Sequence, residues 1–427
     1  LSMLIDSQAL QQVAGRWVRT RELQTMDIPP SIKALLEARL GRLGRDERAA
    51  ISPASVIGME FTMPAVAALS PEADRPGMPG HLGSLARKRF VRPAESVEAE
   101  PAYRFQHHLV RETVYGSLLK RTRASLHVEF VRWADTVNEA RGRSLEFEEI
   151  LGYHLEQAHR CLSELGPLDA SGLATGADAS RRLSSAARRC FARGEAQAAA
   201  GLFRRALALL DVQDSQRPRM LPELAEVLLE VGEFAEARSL LAEAESAALH
   251  RDDRRLLASA QLIGMFVRLY SGEPGDWGAE ALRVAHEAIA PLERAAAHGE
   301  LAMAWRLIGF VHGVAGRYAQ ANAATVHYMA HARQAGNSRL VARSGMGFAI
   351  GALFGPEPVP EAIAQCEAIV AETSGDRQVQ CIVRCVVAQL RAMNGEFDAA
   401  RRLYHHARSV LTELGQGVIA ASAGIDL

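Results

Sequence analysis

The sequence predicts a mainly α-helical chain whose C-terminal half is an α-solenoid of stacked helix pairs, about 40 residues to a pair. Three observations carry this. First, a glycine at a turn followed by an alanine recurs along the chain. The alanines Ala199, Ala237, Ala281, Ala321, Ala362 and Ala400 succeed one another at 38, 44, 40, 41 and 38 residues. Second, each alanine has a partner four positions on (Phe203, Leu241, Ala285, Thr325, Cys366, Tyr404) and another seven on (Ala206, Ala244, Ala288, Tyr328, Ile369, Ala407). Offsets of four and seven lie on one helical face. Third, an apolar helical stretch precedes each turn: 221–231, 256–270, 301–314, 340–354 and 379–393. A pair of this kind cannot bury its apolar face alone, so consecutive pairs must stack.

Taken in chain order, Ile28-Pro29-Pro30-Ser31 followed by Ile32, Leu35, Leu36, Leu40 and Leu43 predicts a helix opened by proline. Asp46 begins a second helix that runs to Ile57-Gly58. Phe61 reads as extended, Pro64 to Leu69 as a short helix and His81 to Arg89 as another. Phe90 to Pro93 and Tyr103 to Phe105 flank an acidic turn of Glu95, Glu98 and Glu100, the pattern of a β-hairpin. Helices closed by a hairpin predict a winged-helix module over 28–120. Amphipathic helices over 106–119 and 122–140 follow, with a helical linker over 121–175 and the solenoid over 176–427. Residues 1–27 read as the remnant of a preceding region, and 417–427 as the opening of a further helix. The sequence therefore reads as a piece of a longer polypeptide.

Within the solenoid, Gly-Glu-Phe-x-x-Ala-Arg at Gly232 and again at Gly395 resembles the tetratricopeptide repeat. The repeats here exceed that class's ~34-residue period. The copies at Gly272 and Gly355 diverge, and Pro358 and Pro360 interrupt the fifth. In the N-terminal part, the strings IPPSIKALLEARLGRL, ASVIGMEF, YRFQHHLVRETVYGSLLKRTRASLH and EEILGYHLEQAHR resemble the region behind the nucleotide-binding domain of large bacterial signal-transduction ATPases. The resemblance covers about Met3 to Ala248. In that family an ATPase core precedes a winged helix and a helical-repeat arm. It often follows a class III adenylate/guanylate cyclase or a transcriptional-activator domain. The resemblance implies that ATP or ADP belongs to the parent protein's ATPase domain. This chain has no GxxxxGK[ST] phosphate loop and no Gly-Lys dipeptide, so no cofactor and no catalytic residue are assigned to it.

By the same resemblance, His107, in Phe105-Gln106-His107 at the junction of hairpin and helix, is the candidate to face the phosphates of ADP. Arg111, one turn on, is a second candidate, and a helix N-terminus itself favours an anion. The bland alternative for His107 is a capping or packing histidine. Arg87, Lys88, Arg89 and Arg92 form a basic run, but the hairpin beside it is acidic, which disfavours nucleic acid. Cys381 with Cys385, and His327 with His331, are spaced i, i+4. Neither pair has a second pair nearby, so core thiols and surface histidines are expected rather than metal. Gly345, Gly347 and Gly351 follow no strand and miss the dinucleotide spacing; close helix packing is the better reading. Phe266, Tyr270, Trp305, Phe310, Phe348 and Phe354 lie on first helices, where one or two of them are candidates to anchor a ligand.

Composition and charge narrow the function classes. Hydrophobic residues make up 48% and the net charge is -1, against wholesale disorder and against nucleic-acid binding through overall positive charge. Five cysteines without a CxxC suit a reducing compartment. No apolar run reaches the ~20 residues of a bilayer span, and no secretory leader is visible, which together predict a cytoplasmic protein without a membrane partner. The leading expectation is a regulatory fragment of a signalling ATPase. Its partners would be its own upstream ATPase domain and a protein or small-molecule effector on the solenoid. The alternatives are a stand-alone repeat scaffold for protein interactions and, third, a winged-helix DNA-binding regulator.

Overall fold

The structure is a computed structural model that describes residues 10–13, 16–19 and 30–414, apart from 98, 99, 144 and 374. The readings made for 417–427, for Glu98 and for most of 1–27 lie outside these residues. The chain divides into two compact units, Leu1–Ala179 and Ser180–Leu427.

In the first unit, β1 (Leu10–Val13) and β2 (Arg16–Arg19) pair as a short antiparallel hairpin. Then come α1 (Pro30–Gly41), α2 (Arg45–Ile57), β3 (Glu60–Thr62), α3 (Met63–Ala68), a 3-10 turn and α4 (Met78–Arg87). The hairpin expected beyond them is β4 (Val91–Val97) and β5 (Glu100–Phe105), and β3 adds on the other side of β5 in an antiparallel sheet ordered β3-β5-β4. Its register sets Phe61 and Pro93 opposite Tyr103, and Val91 opposite Phe105. The alternate residues this turns inward, Phe61, Val91 and Phe105, close a core with Ile51, Met78, Leu82 and Leu85; period-two alternation puts them on one sheet face. Glu47 fixes the entry to α2. Its carboxylate accepts from the Gly44 N–H at 2.9 Å, from Ser84 Oγ at 2.7 Å and from Lys88 Nζ at 2.7 Å. Burial alone would push this carboxyl up, but the hydrogen bonds from Lys88, Ser84 and Gly44 outweigh it and hold it at about 2. Helices α5 (His108–Ser117), α6 (Lys120–Ala140) and α7 (Glu148–Ser163) complete the unit.

The boundary between the units falls within α8 (Ala170–Ala192). Second helices alternate with first helices from there on. The second helices are α9 (Ala196–Ala208), α11 (Phe234–Arg251), α13 (Gly278–Arg294), α15 (Tyr318–Gln334), α17 (Val359–Glu372) and α19 (Phe397–Glu413). The first helices after α8 are α10 (Arg217–Val231), α12 (Arg254–Tyr270), α14 (His298–Val314), α16 (Ser338–Phe354) and α18 (Arg377–Met393). This is a TPR-like α-solenoid in the register that the sequence periodicity predicts. All six repeat alanines and all twelve of their partners at offsets four and seven are buried. At Gly232 and Gly395 the turn takes φ of 84° and 83°, a left-handed conformation that costs glycine nothing.

Two expectations sharpen. Pro358 and Pro360 do not break the fifth pair: Pro358 caps α17 and Pro360 sits in its first turn, where a missing N–H costs no helical bond. The glycines of α16 do mark close packing. A Cβ on Gly345 would lie 2.6 Å from Ile369 Cγ2, and one on Gly351 would overlap Asn322 Oδ1.

Candidate functional site

Within the second unit, five successive first helices, α8, α10, α12, α14 and α16, together with Phe203 of the second helix α9, wall a chamber of about 520 Å³, within the range of small-ligand sites. Its apolar lining includes Phe191, Phe203, Ile263 and Met303. The six aromatics singled out from the sequence do not line it. Phe266 and Phe348 are buried among the helices, Tyr270, Phe310 and Phe354 are exposed elsewhere, and Trp305 stacks on His327 with centroids 4.2 Å apart. Helical periodicity gave the buried face of each first helix but not the direction in which stacking turns the opposite one.

The charges of the chamber are mostly paired across helices. Arg188 holds Glu223 through two hydrogen bonds of 2.5 and 2.9 Å. Arg255 Nη2 donates to Glu300 at 2.6 Å. Glu230, just beyond the lining, receives both Arg339 and, at 2.6 Å, Arg343. Arg339 also donates to the Phe191 carbonyl at 2.7 Å and lies 4.5 Å over its ring. One guanidinium thus ties α16 to α8 and α10, residues 148 positions apart in sequence. Helix α16 begins on Asn337, whose side chain accepts from the N–H groups of Arg339 and Leu340 and so fixes where Arg339 starts. Glu226 differs from the other acids: burial first, and then the neighbouring Glu230 carboxylate, push its carboxyl up to about 7.

In the first unit, His107 is the N-cap of α5: its Nδ1 accepts from the Leu109 N–H at 3.2 Å, and its ring lies 4.5 Å from that of His108. Burial and the adjacent His108 lower its pKa. Arg111 commits its Nε to the Ser55 carbonyl at 2.9 Å. The basic run is partly spent inside the unit, because Lys88 is the partner of Glu47.

One cluster escaped sequence reasoning. His127 on α6 and His154 on α7 meet through their Nδ1 atoms at 2.8 Å, and Tyr115 Oη lies 3.0 Å from His127 Nε2. Tyr115 can donate to His127 Nε2 and His127 Nδ1–H to His154 Nδ1, an arrangement in which both rings are neutral. Burial, and then mutual repulsion, lower His127 to about 2; burial and Arg111 lower His154 to about 4. The only sequence signal was two histidines 27 residues apart in adjacent predicted helices.

Cys381 and Cys385 are buried in α18. His331 Nδ1 lies 3.2 Å from His298 Nδ1. Among the described residues, no group of three or more His, Cys, Asp or Glu is placed to hold a metal ion, and no helix is long and apolar enough to cross a membrane.

No protein-family model matches the chain. It is 29% identical over 149 residues, 35% of its length, to an uncharacterized protein of Rhizobium meliloti (strain 1021), of which the match covers 14%. Among solved structures it is similar to a signal transduction ATPase with numerous domains carrying a tetratricopeptide repeat sensor, from Pyrococcus horikoshii. There the TM-score is 0.45 and the identity 15%, with 94% of this chain and 62% of that one covered. It is also similar to a Rap protein complexed with competence and sporulation factor, with a TM-score of 0.44, 12% identity, and 71% and 95% of the two chains covered. A third, aspartyl phosphate phosphatase F from Bacillus subtilis, has a TM-score of 0.42 and 14% identity, with 89% and 88% covered. The chain thus spans less than two thirds of the Pyrococcus structure and a small part of the Rhizobium protein.

Proposed function

We propose that this chain is the regulatory, non-catalytic part of a cytoplasmic multidomain ATP-binding signalling protein. In this reading 28–120 is a winged helix acting on an ATPase domain that precedes it, 121–175 is a helical linker, and 176–427 is a TPR-like arm that binds a protein or small effector. The parent's output domain, a nucleotide cyclase or a transcriptional activator, follows from the same family resemblance. The observation that carries the reading is the chamber on the arm: charged, partly apolar, and walled by six helices rather than one. His107 restrains the ATPase domain by meeting the phosphates of ADP with its Nε2, and Arg111 contributes its remaining guanidinium nitrogens. Occupancy of the arm then shifts the population toward the open, exchanging form, by as much as the effector prefers that form.

The full-length protein tests this with a pair of substitutions. His107→Asn keeps an N-cap acceptor but removes the ring; His107→Ala removes both. Both should speed ADP release and raise basal output if the ring meets the nucleotide. Normal ADP retention in both variants would contradict the assignment. The chain 1–427 by itself should neither bind nor turn over ATP, and turnover that survives purification would overturn its non-catalytic role.

A further inference from the structure

Nearly every charge that lines the chamber has a partner. Glu223 has Arg188, Glu300 has Arg255, Arg339 and Arg343 share Glu230, and Asp253 caps α12 by accepting from the Leu256 N–H at 3.0 Å. Two lining residues are left over. Glu226 and Arg219 make no hydrogen bond or ion pair among the described residues. They stand seven positions apart on α10, on the same side of the helix and about 10 Å apart along its axis, too far to satisfy each other.

The leftover acid is the costlier of the two. Glu226 is half-buried in a wall it shares with Phe203, Ile263 and Met303, so its carboxylate gives up part of its hydration with no ion pair in return. Glu223 and Glu230 on its own helix repel it further, and only Arg306 from α14 and Arg343 from α16 act in its favour. The Tyr328 hydroxyl on α15, which feels the same carboxylate, is buried with no hydrogen-bond partner. An acid kept in this state at the wall of a chamber is a candidate for a ligand's cation.

We propose that the chamber binds a small zwitterion, with its ammonium group against Glu226 and its carboxylate against Arg219. A free peptide of about three residues is the simplest such molecule: three extended residues span about 10 Å, and a central apolar side chain meets Phe203, Ile263 and Met303. Arg219, an exposed lining residue, takes the carboxylate through a two-pronged contact. The ammonium takes the place of the proton that Glu226 carries about half the time at neutrality, so binding releases part of a proton. The proposal rests on the arm being a ligand-binding module and names the class of ligand.

Calorimetry with Ala-Leu-Ala, in two buffers of different ionisation enthalpy at pH 7, tests it. The expected result is binding with proton release, weakened tenfold or more by acetylating the N-terminus, by amidating the C-terminus, by Glu226→Gln or by Arg219→Gln. The acetylated peptide should be indifferent to Glu226→Gln and the amidated one to Arg219→Gln, while Arg219→Lys keeps most of the affinity. Glu226→Gln should also abolish the proton release and leave the helical signal intact. No binding of the free peptide, equal affinity for the blocked peptides, or affinity unchanged in both glutamine variants would overturn the proposal. These outcomes are independent of ADP retention in the His107 variants, so failure here leaves the regulatory reading to be judged on its own test.

Discussion

The two units solve the same packing problem by different means. The first fills its core with large side chains that occur once each, such as Phe61, Phe105, Met78 and Leu82, around a three-stranded sheet. The second repeats one solution six times, an alanine on each second helix buried against its neighbours, so that backbones approach closely and larger residues fill the space between pairs. Their buried polar groups differ as well. The first unit buries bases that must stay neutral, His127 and His154; the second holds an acid that resists ionising, Glu226. A repeated solution is sensitive to added volume at any copy, and a singular one is sensitive to loss of its particular partners.

Adding volume gives the largest expected effect. Ala237→Trp or Ala400→Trp should destabilise the second unit by about 3 kcal/mol or more, because an indole cannot fit where a methyl is fully buried. Thermal melts and hydrogen exchange should place the loss in the second unit, and unchanged melting for both variants would break the repeat register. Removing a partner comes next. His127→Phe strands Tyr115 and His154 and should cost the first unit about 2 kcal/mol at pH 7.5, as buried groups that lose their hydrogen bonds typically do. Denaturant titration would reveal it, and a neutral result would mean that the buried chain is not load-sharing. Glu47→Gln should cost slightly less, about 1.5 kcal/mol, by weakening charge-assisted bonds to Lys88 and Ser84. That contribution is present above the unfolded carboxyl's range and is lost as pH falls toward 2, so the deficit should shrink in acid. The smallest effect is that of His107→Ala, about 1 kcal/mol or less from a lost helix cap, with His107→Asn smaller still. A loss of several kcal/mol would mark His107 as a packing residue instead.

The difference between the units also explains what the sequence disclosed. Every first helix of the solenoid after α8 was legible to within about four residues, because five or six copies of one pattern confirm each other. The hairpin of the first unit was legible from its alternation, and β3 from Phe61 alone, but of the acids read as its turn Glu95 lies in β4 and Glu100 in β5. The sites were less so. His107 could be placed at a helix start, but whether its ring serves the cap or a nucleotide depends on which nitrogen remains free. The chamber escaped because composition shows acids and arginines in near balance without showing that Glu226 and Arg219 are the pair left over. The aromatic candidates failed for a related reason: periodicity orients a side chain about its own helix, whereas the curvature of the stack decides which free face becomes the chamber wall.

The central claim, that the first unit holds two bases neutral and the second an acid that resists ionising, has a direct test in the pH dependence of each unit's stability between pH 5 and 6.5. The two lowered histidines leave the folded first unit with fewer bound protons than its unfolded chain, so it should gain stability as pH rises, by up to about 1.4 kcal/mol per pH unit for each histidine. The raised Glu226 keeps its proton when the unfolded chain has lost one, so its contribution should fall over the same range. Hydrogen exchange read segment by segment, in the natural chain alongside Glu226→Gln and His154→Phe, isolates both terms. The account predicts that Glu226→Gln outstabilises the natural second unit by a margin that grows with pH. It also predicts that His154→Phe flattens the rise of the first unit. Margins that stay constant across the range, or that change with the opposite sign, would contradict it.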